Sequence, residues 1–223
     1  ELESHYGVPF PTGYCDWTLK NYINDPDIKG RNLTFGEMMA NPRAQRYLWI
    51  PEAEWIPPDE IPQYELGRPH IIPGLIPFAF SGAGDHWCWN TQVKTAEAEY
   101  EIIYCWRDEI LASRFAPTFP AWFYRTCLNF ASGMFERNES EIEEARTNLS
   151  LWSERLAEIH PGAWADHLEE LAQTQPSEYK NPRLRASITQ FGFITEMKVE
   201  EIVANQFGPE YLERNVEWGN WTD

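Results

Sequence analysis

A chain of 223 residues, 43% of them hydrophobic, is long enough to bury a substantial core as one domain, or as a domain with an appendage. Its 35 acidic residues against 18 basic ones leave a net charge of −17, which argues against nucleic acid and anionic membrane surfaces as partners and favours a cationic protein. No run reaches the roughly 20 apolar residues that span a bilayer. Nothing reads as a signal peptide, and Cys15, Cys88, Cys105 and Cys127 form no C-x-x-C pair, so neither a structural zinc site nor a disulfide framework is expected. The expected setting is the cytoplasm, with reduced thiols.

ELESHYGVPF, residues 1–10, reads as a helix stopped near Gly7 and Pro9, and a second helix is predicted from Thr12 to about Ile23. LTFGEMMANPRAQRYL, residues 33–48, predicts two short helical turns split at Asn41-Pro42, because proline disfavours helix in the residue before it. Residues 50–77 carry seven prolines, a density that forbids a continuous helix or central strand and predicts a long connection. Its apolar residues Trp49, Trp55, Ile56, Tyr64 and Leu66 argue that it packs. Strands are predicted at Leu75–Phe80, His86–Thr91, Glu99–Trp106 and Ile110–Phe115, where β-branched and aromatic residues cluster. An amphipathic helix over 117–135 follows, with Trp122, Phe123, Thr126, Cys127, Phe130 and Ala131 near one face.

The texture then turns helical. NESEIEEARTNLSLWSERLAEIH has a capping-box pair in Ser140 and Glu143, with Ile142, Ala145, Leu149, Trp152, Leu156 and Ile159 at helical spacing. AWADHLEELAQ predicts another helix, and ITQFGFITEMKVEEIVANQFG a short strand and a helix closed by Gly208. Tyr211, Trp218 and Trp221 imply a tail that packs back on the body. The expected organisation is a core at 1–135 and a mainly helical extension at 136–223.

LIPFAFSGAGDHWCW, residues 75–89, allows three readings. A phosphate loop needs backbone N–H groups opening a helix and a lysine. Here strand-like residues follow, there is no lysine, and the Asp85 carboxylate repels phosphate. A metal site would draw on Asp85, His86 and Cys88; on a strand only His86 and Cys88 share a face, with Cys105 as a third ligand. The favoured reading is a tight turn between two strands, with Gly82 and Gly84 supplying φ > 0 and Asp85 bonding local backbone. It implies no metal and no cofactor at this stretch.

IIPGLIPFAFSGAGDHWCWNT resembles the central signature of the SUKH superfamily: an apolar strand with Pro-Phe-Ala, a glycine–aspartate turn, and a strand rich in aromatics. ELESHYGVPFPTGY is similar to that family's amino-terminal element, and SRFAPTFPAWFYRTCL to its closing helix. The resemblance covers residues 1–135; the Pro-rich connection and everything after 136 depart from it. It implies an α+β fold with helices packed on a mostly antiparallel sheet, and a non-enzymatic role. Bacterial members commonly bind and neutralise a cognate toxin, often a nuclease, while fungal members act as regulatory scaffolds.

Charge points the same way, because a nuclease cleft is cationic and an acidic inhibitor is steered into it. Two sets of acids with aromatics are candidate partner-binding residues: Glu52, Glu54, Trp55, Asp59, Glu60, Tyr64 and Glu65 on the connection, and Asp85, His86 and Trp87 at the turn. The competing readings are a regulatory scaffold without a toxin partner and a carboxylate-pair hydrolase. The sequence shows neither a G-x-S-x-G nor an H-E-x-x-H motif for the latter.

Overall fold

The computed structural model describes residues 2–20, 22–23, 50, 53–63, 74–96, 98–106, 111–133, 138–180, 189–212 and 216–217. In chain order the first elements are α1 (Leu2–Tyr6), α2 (Thr12–Leu19), β1 (Glu54–Trp55), a 3-10 turn at Ile61–Gln63, β2 (Leu75–Phe80), β3 (His86–Ala96), β4 (Glu99–Cys105) and β5 (Leu111–Ala116). Then follow α3 (Phe119–Ala131), α4 (Glu139–Ile159), α5 (Ala163–Gln173), β6 (Ser177–Lys180), β7 (Thr189–Gly192), α6 (Glu196–Gln206), a 3-10 turn at Pro209–Leu212 and β8 (Val216–Glu217). The helical turns expected at 33–48 lie outside the described residues. The fold is α+β with a mainly helical carboxy-terminal region. The chain divides into two compact units, residues 1–119 with 214–223, and residues 120–213. That division falls at the start of α3, at 119/120.

The first unit is built on a six-stranded antiparallel sheet in the order β1-β2-β3-β4-β5-β8. Alternation along the strands sorts the side chains between two faces. Trp87 opposite Tyr104 and Trp89 opposite Ile102 share one face; His86 opposite Cys105, Cys88 opposite Ile103 and Asn90 opposite Glu101 share the other. On the first face, Trp89 stacks on Phe78 with centroids 4.5 Å apart and meets Phe10 edge-on at 5.0 Å and Tyr14 at 4.8 Å. Phe10 and Tyr14 come from the α1–α2 segment, so these helices seal that face. Each such ring pair adds about 0.5–1.5 kcal/mol beyond the apolar area it buries.

The second face holds a cluster of Leu75, Cys88, Ile103 and Ala112, with Cys105 packed against it. Beside it Glu101, only 2% exposed, takes an ion pair from Arg114 Nε at 3.3 Å and a hydrogen bond from Asn90 Nδ2 at 3.2 Å. A buried carboxylate is tolerable only with such partners. Nothing in the sequence pattern announced this one.

β2 and β5 occupy nearly the expected spans, whereas β3 runs past Thr91 to Ala96, with Gln92–Ala96 exposed. Within the Pro-rich stretch the described strand is β1, two residues long at the sheet edge and followed by Pro57-Pro58. Proline can border an edge strand because no ladder hydrogen bond is demanded of its nitrogen there. Near the end of the chain β8 pairs with β5; Trp218 and Trp221, on which the expectation of a tail packed on the body rested, lie outside the described residues.

In the second unit α4 and α5 are joined by Ser153 Oγ donating to the Ala165 carbonyl at 2.7 Å and Arg146 Nη1 donating to the Ala172 carbonyl at 2.8 Å. The cap of α4 is Asn138, whose Oδ1 accepts from Glu141 N at 2.9 Å, and not the expected Ser140. β6 and β7 form a separate two-stranded hairpin, of which the sequence reading found only the second strand. Gly208, at φ +116°, follows α6 as expected. A second aromatic node joins α3 and α5: Tyr124 stacks on Trp164 at 5.2 Å, and its hydroxyl lies 2.6 Å from His167 Nδ1. Burial pushes the His167 imidazole below its usual pKa, against Glu170 and together with Lys198.

Candidate partner-binding surface

The segment Ser81–Asp85 is a turn between β2 and β3, and Ser81 organises it. Its N–H donates to the Asp85 carbonyl at 2.8 Å, its carbonyl accepts from Gly84 N at 2.8 Å, and its hydroxyl oxygen accepts from Asp85 N at 3.1 Å. Asp85 Oδ2 accepts from Ser81 Oγ at 3.3 Å and from Tyr104 OH on β4 at 2.7 Å. The carboxylate thus ties the turn to a neighbouring strand. Gly84 has φ +86°, which glycine alone adopts without strain. Gly82 does not share that conformation, contrary to the expectation for both glycines, and a Cβ there would meet nothing within 4 Å.

No helix follows the turn, so its N–H groups are not arranged as a phosphate cradle. His86, Cys88 and Cys105 do share a face, yet among the described residues no group of three His, Cys, Asp or Glu side chains could hold a metal.

Register decides which candidates meet. Glu54 pairs with Phe80, Phe80 with His86, and His86 with Cys105, so one row across four strands carries them on one face. With about 4.8 Å between strands, Glu54 lies roughly 10 Å from His86 at the end of the sheet that bears the turn. Asp59 and Glu60 do not join them. Beyond Trp55 the chain runs the other way along β2, with Ile56 N donating to the Phe78 carbonyl. The next turn closes through Glu60 N to the Pro57 carbonyl, and Tyr6 OH on α1 donates to Ile61 O. Both acids are exposed beside α1.

Trp55 and Trp87 are corrections to the expected anchors. They are 6% and 7% exposed, because Trp55 opposes Ala79 and Trp87 opposes Tyr104 on the aromatic core face. Glu52, Tyr64 and Glu65 lie outside the described residues. The half-buried rings at the turn are instead Tyr104 and Trp106, edge to face at 5.0 Å. The reading by residue type passed over both. Their signal was the alternation in YCWRD, which sends residues 104 and 106 to the same side at the strand's fraying end.

The candidate surface at this end of the sheet comprises the turn, with exposed Gly82 and Ala83 and half-buried Asp85, flanked by Glu54 and His86 on one face and by half-buried Tyr104 and Trp106 on the other. It offers carboxylate acceptors and ring faces. No helix among the described residues is long and apolar enough to cross a membrane. Neither the curated proteins nor the solved structures compared with the chain contain a match. The model of the SMI1/KNR4 family (SUKH-1) matches residues 1–125, more than half of the chain, and the protein belongs to that family.

Proposed function

We propose that the protein is a cytoplasmic immunity protein that binds a cationic toxin domain, such as a nuclease, and blocks its active cleft without performing chemistry of its own. The observation that carries this reading is the end of the sheet where Glu54 and His86 on one face and Tyr104 and Trp106 on the other flank the turn that carries Asp85. Aromatic anchors beside acids are what a basic, phosphate-binding cleft would accept, and they match the net charge of −17. Membership of a family that includes immunity proteins supports it further.

Co-expression with any toxin domain found encoded beside the gene tests the reading, scored by growth rescue and by co-purification. The expected result is rescue together with a stoichiometric complex. Rescue should be lost in a Glu54→Lys/Ala83→Arg double variant, which changes two exposed side chains. A toxin neither bound nor neutralised would contradict the proposal and favour a regulatory scaffold.

A further inference from the structure

Two of the four cysteines, neither of them needed by the proposed docking reading, meet on the second face of the sheet. Cys88 opposes Ile103 and Cys105 opposes His86, so the two are diagonal neighbours across β3 and β4. Cys105 packs against the Leu75–Cys88–Ile103–Ala112 cluster. Burial, with Cys105 beside it, pushes the Cys88 thiol up. Their exposure is unequal: Cys88 is fully buried, whereas Cys105, the last residue of β4, is half-buried. A small oxidant therefore reaches one sulfur and not the other, and the sheltered sulfur is already in place to resolve the product.

We propose that Cys105 and Cys88 form a peroxide-oxidised thiol pair, with Cys105 attacked first and Cys88 closing the disulfide. In the first step the Cys105 thiolate displaces hydroxide from the peroxide O–O bond, giving a sulfenic acid; the hydroxide and the thiol proton leave as water. In the second, Cys88 sulfur attacks the sulfenic sulfur, the S–O bond breaks, and a second water departs. The sum is two thiols and one hydrogen peroxide to one disulfide and two waters.

Diagonal partners lie about 7–8 Å apart along the backbone, just beyond the roughly 7 Å that a disulfide spans without backbone movement. Forming the bond draws the strands together, which places it in the class that thiols readily reduce. The bond would clamp β3 to β4 beside His86.

The test is peptide mapping by mass spectrometry of the intact, folded chain, titrated with hydrogen peroxide and alkylated before digestion. The expected result is a cross-link between the Cys88 and Cys105 peptides with loss of two hydrogen atoms, reversed by dithiothreitol, while Cys15 and Cys127 remain alkylatable. Cys88→Ser should leave a dimedone-reactive sulfenic acid at Cys105, and Cys105→Ser should leave Cys88 unmodified. Should either variant fail to fold, the map of the unmodified chain decides alone. Cys105 proceeding to sulfinic acid with Cys88 reduced, or oxidation arriving first at Cys15, would overturn the assignment.

Discussion

Gly84 and Gly82 sit two residues apart in the same turn and differ in what the backbone asks of them. At Gly84 the φ of +86° penalises any Cβ, so Gly84→Ala should cost about 1 kcal/mol in urea unfolding. At Gly82 the space is open and the conformation ordinary, so Gly82→Ala should stay within about 0.5 kcal/mol. Equal losses would mean that the turn is not the one described. The glycines were legible as turn residues, but which of them needed the unusual angle was not, since that depends on the Ser81 and Asp85 hydrogen bonds. His167 carries a second prediction at this scale. Its depressed pKa means that the unfolded chain binds the proton more tightly, so the penalty is absent above pH 6.5 and grows as pH falls through that value. Stability should therefore decline on acidification through that window, and His167→Gln should flatten that part of the profile in thermal melts taken across pH. A variant profile parallel to the parent's would refute the coupling.

Whole elements were readable where a long run of one residue class met one period. β2, β3 and β4 begin at the residues expected from their apolar and aromatic runs. β1, β6 and β8 were not found, because two to four residues carry no periodicity and such strands exist only through the partner they pair with. The same limit applies to the start of α4. Asn138 with Glu141 and Ser140 with Glu143 have identical cap spacing, and only the backbone distinguishes them. Asn138 takes the cap, so Asn138→Ala should cost about 1 kcal/mol and Ser140→Ala close to nothing, measured by chemical denaturation. The reverse order would move the start of the helix by two residues. Trp55 and Trp87 show the other side of the problem. Reading aromatics beside acids as exposed anchors ignored the alternation that turned both rings into the core.

For the molecule as a whole, composition gave the charge and residues 1–14, 71–91 and 113–128 gave the family resemblance. Neither could locate a surface. That required the register joining β1 to β4, which puts Glu54 and His86 in one row on one face, with Phe80 between them, and leaves Asp59 and Glu60 elsewhere. The central claim is that this end of the sheet docks a cationic protein. It is tested most directly by the dissociation constant for a cationic toxin domain, such as a nuclease, over a salt series, for the parent chain and the Glu54→Lys/Ala83→Arg variant. The account predicts affinity that weakens with ionic strength and a variant bound at least about tenfold more weakly at low salt, roughly 1.4 kcal/mol, with an unchanged melting temperature. A variant that binds as tightly as the parent, with the same salt slope, would contradict it.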